Sequence, residues 1–387
     1  MKNIRILLTG ATGFLGIHLA QMLAEQGYTV LVLARPKDNM PGEERLTALF
    51  SWLGMDEIPS CVHIVQGDLN CPDLGLSSAD YHRLAATVDE IIHCASDTSF
   101  SERKRAQIEK ANVENLHHLL DFAVKSRCFF FHFISTAYAA GKKDGVCPEA
   151  LEAPHSFFNV YEETKHRAEK TAAMRCHCEG IRLNIYRPSI VYGNSSTGKT
   201  LRFNAMYYPV KMLVFLRNLY VNQNGKQLSK HAEKLGISFD PGGAAHMPIR
   251  IKANASGGIN LIPVDFFTAA FSAIMESAME GGVFHITNEK NTPVSDIIDF
   301  TQKYFNITGI QAVKAGDLPL GSPNTLETLF NRYTRIYRHY MQDKRIFDNS
   351  RTAAILTRNS ISCPDFDYRI FSTCMRYAEA ANWGNPP

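Results

Sequence analysis

The sequence predicts an α/β protein: a doubly wound parallel sheet carrying a smaller, discontinuous and mostly helical cap. Three observations lead there. Strand and helix signals alternate at short spacing through the first third of the chain, which requires crossover connections between parallel strands. A glycine-rich turn, Gly10-Ala11-Thr12-Gly13-Phe14-Leu15-Gly16, sits between the first strand and the first helix. After about Gly193 the alternation stops, and residues 194–257 are rich in Gly, Asn and Ser with aromatic patches between.

Taken in order, residues 4–9 form an apolar run suited to a buried strand, 14–26 a helix and 29–34 the next strand. Further strands are expected at 62–66, 90–94, 129–135 and 182–186, and helices at 108–125 and 161–178. The run Phe129-Phe130-Phe131-His132-Phe133 fits a strand covered on both faces, with His132 a satisfied core side chain. Order returns at 259–274 and 283–287, and residues 326–340 form an aromatic and basic helical stretch. The expected division is a dinucleotide-binding domain over 1–193, rejoined by about 258–300, and a cap made of 194–257 and 301–387.

Composition narrows the function. Lys and Arg total 41 against 38 Asp and Glu, a net charge of +3, too weak to argue for a nucleic-acid or membrane-surface partner. Apolar residues make up 45% of the 387, enough to bury a sizeable core. The nine cysteines follow no regular spacing, and Cys176-His177-Cys178 lacks the second half of a zinc site, so reduced thiols and no metal are expected. The apolar stretch 207–221 is interrupted by Lys211 and Arg217, and the first residues are too short an apolar run for a secretory signal. A soluble, cytoplasmic protein with no membrane span is expected.

The glycine turn allows close backbone approach, and free N–H groups at the helix start attract a pyrophosphate, which assigns Gly10, Thr12, Gly13, Phe14, Leu15 and Gly16 to a dinucleotide. At the end of the second strand stands Arg35, with Lys37 and Arg45 nearby and no acid before Asp38. A guanidinium can grip a ribose phosphate in a bidentate fork, favouring NADP(H) over NAD(H); a solvated loop cation is the other reading. Asp68, before Leu69, follows the third strand, where a carboxylate can accept from the adenine amino group or simply form a turn. Cys94, Ala95 and Ser96 follow the fourth strand, also on the cofactor edge.

The strongest signal is Tyr161-Glu162-Glu163-Thr164-Lys165 on a predicted helix, with Ser135-Thr136 at a strand end. Residues four apart share a helix face, so Tyr161 and Lys165 can enter one site. A phenol with an ordinary pKa of about 10 exchanges protons poorly at neutral pH, and a nearby ammonium, with the positive nicotinamide of an oxidised cofactor, would favour the phenolate. Thr136 can hydrogen-bond the same substrate oxygen.

These pieces resemble the extended short-chain dehydrogenase/reductases, with their Rossmann-like sheet, and within them the fatty acyl and carrier-protein thioester reductases of the male-sterility branch. The resemblance rests on Gly10 to Gly16, Arg35 with Arg45, Gly67-Asp68-Leu69, Ile91-Ile92-His93, Asn112-Val113, Ile134-Ser135-Thr136-Ala137-Tyr138, Tyr161 to Lys165, Tyr186 to Gly193, Pro263-Val264-Asp265 and Phe347-Asp348-Asn349-Ser350. It implies a catalytic set of Thr136, Tyr161 and Lys165. It also implies that Asn112, Pro188, Ser189, Ile190 and Val191 join Tyr161 and Lys165 around the cofactor. Where the family often has Asn-Val-x-Gly-Thr, this chain reads Asn112-Val113-Glu114-Asn115-Leu116, so packing near the cofactor is expected to differ.

Gly193-Asn194-Ser195-Ser196-Thr197-Gly198-Lys199-Thr200 satisfies the phosphate-loop expression, but it lies outside the leading strand–helix unit, and no apolar strand ending in a metal-binding Asp stands out downstream. The expected activity is therefore NADPH-dependent reduction of an acyl thioester, on CoA or on a carrier protein, to aldehyde or alcohol. A ketone/alcohol dehydrogenase or a sugar-nucleotide epimerase of the same family is the alternative, and a non-catalytic dinucleotide sensor a third. No adenylation domain or carrier serine segment fits in 387 residues, so a free-standing reductase is expected, with an acyl carrier protein a possible partner and the oligomeric state open. The aromatic residues of the cap (Phe203, Tyr207, Tyr208, Phe215, Tyr220) line an acyl channel or simply form its core.

Overall fold

A computed structural model describes residues 4–222, 227–253, 258–314 and 322–384; parts of the expected cap, residues 223–226, 254–257, 315–321 and 385–387, lie outside the described residues. Seven parallel strands form the main sheet: β1 (Arg5–Thr9), β2 (Thr29–Ala34), β3 (Val62–Gln66), β4 (Glu90–His93), β5 (Phe130–Ile134), β6 (Arg182–Pro188) and β7 (Gly282–Ile286). Their order is β7-β6-β5-β4-β1-β2-β3. The order reverses beside β1, and the carboxyl ends of β1 and β4 flank the crevice that such a reversal opens. A sheet covered on both faces wants continuous apolar strands, and β5 is buried at every position.

The flanking helices are α1 (Phe14–Glu25), α2 (Asn115–Lys125), α3 (Val160–Cys178) and α4 (Val264–Ser277). Leu7, Ile91, Phe131 and Phe133 of the strands pack with Leu116 of α2 and Ala168 of α3 in one core cluster. His132 is a core residue, with Nδ1 2.8 Å from the Tyr186 hydroxyl and Nε2 3.2 Å from Glu90. The helix expected over 108–125 is not continuous. A short helix, Arg105–Glu109, passes through a π-helical turn, Lys110–Glu114, before α2 begins. Such a turn inserts a residue into the helical ladder and often marks a functional site.

The chain divides into two compact units: Met1–Ser189 with Val264–Thr287 and Phe347–Ser362, and Ile190–Pro263 with Asn288–Ile346 and Cys363–Pro387. The expected boundaries differ. Residues 288–300 fall in the second unit, and 347–362 return to the first because the helix Ser350–Arg358 packs on α4 and β7, with Arg351 Nη2 donating to the Gly281 carbonyl at 2.9 Å.

The second unit has helices Tyr207–Tyr220, Val294–Phe305, Thr325–Tyr333 and Tyr368–Ala380. It also holds a three-stranded sheet that the sequence pattern did not reveal, in which Ala245–Ala253 runs parallel to Ile307–Lys314 and pairs antiparallel with Ser238–Phe239. Its core includes Leu213, Leu216, Ile249, Phe330 and Phe371. Phe203 and Tyr207 belong to that core cluster or pack against it.

In the first unit, α3 buries an unusually polar face. Glu169 is fully buried and forks onto Arg187 of β6, with Nε–Oε1 at 2.9 Å and Nη2–Oε2 at 2.7 Å. Arg187 Nη1 also donates to the Ala150 carbonyl at 3.1 Å and lies 3.3 Å from His285 Nε2. Removing one member of such a pair strands a buried charge. Glu169→Leu should therefore lower the unfolding free energy by about 3–5 kcal/mol, and Glu169→Leu with Arg187→Met by far less than the two single losses summed. Urea unfolding of the three variants checks this, and additive losses would contradict it.

Candidate active site

The site assembles at the carboxyl ends of β1, β4, β5 and β6. After β1, Gly10 takes φ +80°, and a Cβ there would lie 2.5 Å from the Ala95 backbone nitrogen. A Cβ on Gly16 would collide with the Gly10 carbonyl. Larger residues at either position would thus push apart the turn, the segment after β4 and α1. The helix starts at Gly13 with no side-chain cap and no acid in its first turn, leaving its N–H groups and dipole for an anion. Thr12, Phe14 and Leu15 lie half-buried around this turn. These features fit a dinucleotide pyrophosphate.

Around β2 and β3, Arg45 Nη1 donates to the Arg35 carbonyl at 3.0 Å, and Arg35 Nη1 lies 3.8 Å from Asp68. Asp68 accepts from the Asn70 backbone N–H at 2.9 Å, a local turn bond. Asn70 Oδ1 in turn accepts from Asn115 at 2.7 Å, so the asparagine standing where the family often has glycine ties α2 to this loop. Leu69 packs against the core, and its carbonyl lies 2.8 Å from His118 Nδ1.

Beyond β4, Asn112 fastens the loop. Its Oδ1 accepts from Ser96 Oγ at 3.0 Å and from Asp97 N at 2.8 Å, and its Nδ2 donates to Thr164 Oγ1 of α3 at 3.0 Å. The π-helical turn is what presents Asn112 here, and residue spacing gave no sign of it. Burial pushes the Cys94 thiol up to about 12, so it stays protonated.

Asn159 caps α3 by accepting from Glu162 N at 3.0 Å, and this fixed start delivers Tyr161 and Lys165 to the end of β5. Lys165 is buried; its Nζ donates to the Ile134 carbonyl at 2.5 Å and stands 4.3 Å from the centre of the Phe133 ring. Burial brings its pKa down to about 8. His93, with Nδ1 2.8 Å from Thr9 Oγ1, is driven down to about 3, by burial first and Lys165 second, and is neutral.

Thr136 is buried beside Tyr161 and forms a hydrogen bond with it; its Oγ1 also reaches the Pro188 carbonyl at 3.5 Å. Tyr161 departs from expectation. Burial raises its phenol above the ordinary range, and the Thr136 bond only partly opposes this. The phenol is therefore an acid that keeps its proton at neutral pH. Phe100 lies against it, ring centres 5.9 Å apart, a contact the sequence did not signal.

The hydroxyls of Ser135 and Ser189 are buried with no hydrogen-bond partner in the protein. Both stand at the ends of β5 and β6, where two unsatisfied donors suit a polar ligand. Ile190 and Val191 open the second unit, in the strand Ile190–Tyr192. The phosphate-loop-like segment is closed on itself. Asn194 Oδ1 takes up the N–H groups of Ser196 and Thr197, both at 3.0 Å, and no helix follows until Tyr207. Among the described residues no group of three or more His, Cys, Asp or Glu could hold a metal, and no helix is long and apolar enough to cross a membrane.

Sheet order, glycine turn and the Tyr161/Lys165 helix together define a dinucleotide-binding oxidoreductase of the extended short-chain dehydrogenase/reductase type. Residues 8–271 match the family described as male sterility protein, and the chain belongs to it. It is 26% identical over 391 residues to a component of the linear gramicidin synthase of Brevibacillus parabrevis, covering 96% of this chain but 7% of that much longer protein. Among solved structures, the terminal R domain from the myxalamid PKS-NRPS biosynthetic pathway shares the fold with a TM-score of 0.76 at 22% identity, covering 98% of this chain and 91% of that one. A thiolation-reductase di-domain from an archaeal non-ribosomal peptide synthetase does so with a TM-score of 0.69 at 19% identity, covering 100% and 77%.

Lys165 gives a direct check on the site's electrostatics. In lysine-labelled protein its Cε resonance should titrate near pH 8, and a midpoint at the ordinary ~10.4 would contradict the burial argument.

Proposed function

We propose that the chain is an NADPH-dependent reductase of a carrier-bound acyl thioester, giving an aldehyde or, after a second round, an alcohol. One observation carries this reading: Thr136, Tyr161 and Lys165 gather at the end of β5, next to two buried, unbonded serine hydroxyls. The glycine turn, α1 and the Asn112-fastened loop would hold the dinucleotide, which when bound supplies the hydride. Tyr161, kept protonated by burial, donates its proton to the oxyanion that develops on the thioester carbonyl. Thr136 orients that hydroxyl, and the buried Lys165 cation stabilises negative charge where water is scarce. The tetrahedral hemithioacetal then collapses and releases thiol.

The exposed Arg35, beside Arg45, supports NADPH over NADH, since its fork can turn from Asp68 to a ribose phosphate. The second unit encloses a cavity of about 50 Å³ lined by Met206, Val210, Leu213, Ile251 and Ile297, among others. An intact proton-donating set supports turnover over dinucleotide sensing.

NADPH absorbance followed with acyl-carrier, acyl-CoA, ketone and UDP-sugar substrates should fall with the thioesters, and consumption with ketones alone would remove the proposal. Tyr161→Phe should leave NADPH affinity nearly unchanged while costing on the order of 10²–10⁴-fold in turnover, the usual worth of a general acid. Turnover should also decline as pH rises through about 8, where Lys165 loses its proton, and hold below it; a profile flat from pH 7 to 9.5 would contradict the role of the cation. Arg35→Ala should weaken NADPH selectively, and an equal loss of NADH would refute phosphate recognition.

A further inference from the structure

The aromatic and basic stretch beginning at Leu326 plays no part in the site just described. In the structure it is a kinked helical run: Thr325–Tyr333, a tight turn Arg335–Tyr337, then Arg338–Met341. Its two faces differ sharply. Inward, Phe330, Tyr337, Tyr340 and Met341 line the apolar cavity of the second unit. Arg332, Arg335 and Arg338, three residues apart, are all exposed.

No ion pair joins these arginines to a carboxylate among the described residues. The two acids of residues 325–345 are spent elsewhere. Glu327 is buried against Arg250, with Nε–Oε1 at 2.5 Å, and Asp343 against Arg345, with Nη2–Oδ2 at 2.7 Å. The neighbouring helix Tyr207–Tyr220 contains no acid at all. Among the described residues, then, three exposed positive charges at three-residue spacing have no carboxylate partner.

Apolar side chains are exposed among them. Tyr333 is 40% exposed and Ile336 47%, and Phe215, 41% exposed, has its ring centre 6.0 Å from that of Tyr333. Large apolar groups set between like charges match the make-up of a protein-docking face better than that of a solvated one.

We propose that this face docks an acidic carrier domain that presents the acyl thioester, the arginines pairing with its carboxylates and Phe215, Tyr333 and Ile336 seating an apolar contact. The inference rests on the thioester-reductase reading and names the partner of that activity. Charge complementarity selects an acidic partner, speeds encounter and makes association sensitive to salt.

The test uses the full chain, a fluorescently labelled acidic acyl carrier protein, and an octanoyl group carried on that protein, on CoA and on N-acetylcysteamine. Arg332→Glu with Arg335→Glu and Arg338→Glu should weaken carrier binding at least about tenfold by anisotropy and raise KM for octanoyl-carrier by a similar factor. Turnover of octanoyl-N-acetylcysteamine should not change. The triple lysine variant should keep most binding, and added salt should weaken the wild type more than the glutamate variant.

Unchanged carrier binding in the glutamate variant would overturn the proposal. So would an equal loss on N-acetylcysteamine, which reports a damaged site, or a rise in KM for octanoyl-CoA alone, which reports a free-phosphate site. Arginine-dependent binding to vesicles containing phosphatidylserine, with carrier binding intact, would assign the face to a membrane and overturn it too. Binding is read without turnover. Arginine-dependent carrier binding with no reduction of any thioester would therefore sustain the docking face while removing the reductase reading.

Discussion

A buried ammonium sets the terms for the rest of the site. Lys165 sits at the sheet's carboxyl edge with the Ile134 carbonyl and the Phe133 ring around it, and a cation so poorly hydrated survives only if its surroundings are fixed. The cost of that burial appears as a pKa lowered to about 8, close enough to neutrality that the charge is kept yet responsive. The same dry surroundings raise the Tyr161 phenol and hold His93 neutral. Burial thus gives three titratable groups three different tasks: a cation, an acid that keeps its proton, and an uncharged hydrogen-bonding partner for Thr9.

Such a site needs its helix held firmly, and α3 is held by polar contacts as well as apolar packing. Thr164 is tied through Asn112 to the loop after β4, Lys165 to the end of β5, and Glu169 to Arg187 on β6. Each contact lands at or near a strand end that the dinucleotide crevice would use, so the helix that carries Tyr161 and Lys165 is registered against that edge. The Arg187 fork has a second consequence. It places Pro188 and Ser189 just beyond a buried ion pair, where the backbone has little freedom.

Much of this architecture was legible in the chain. Six of the seven strands of the main sheet stand near their expected positions, because each is a short apolar run bounded by turn residues, and the seventh, β7, falls where order was expected to return. The glycine turn and the Tyr161/Lys165 pair could be read because their chemistry depends on local spacing. What escaped depends on distant partners. The strand Ala245–Ala253 places His246, Pro248, Arg250 and Lys252 at its less buried positions, but Pro248 inside the run argues against a strand, and its pairing partner lies some sixty residues on. Phe100 meets Tyr161 only through the fold, and the π-helical turn at Lys110–Glu114 leaves no mark in residue type. For Tyr161, four-residue spacing shows that two side chains share a face but not where the ammonium points, and in the protein alone burial raises the phenol.

Thioester reduction at the Tyr161 site, as proposed, joins hydride addition to the loss of thiol. The most direct measurement is stoichiometric: free thiol titrated against NADPH consumed when purified protein acts on an acyl thioester. One thiol per NADPH is expected if the product is aldehyde, and one per two if it is alcohol. NADPH consumed without thiol release, or thiol released without NADPH, would rule that reaction out.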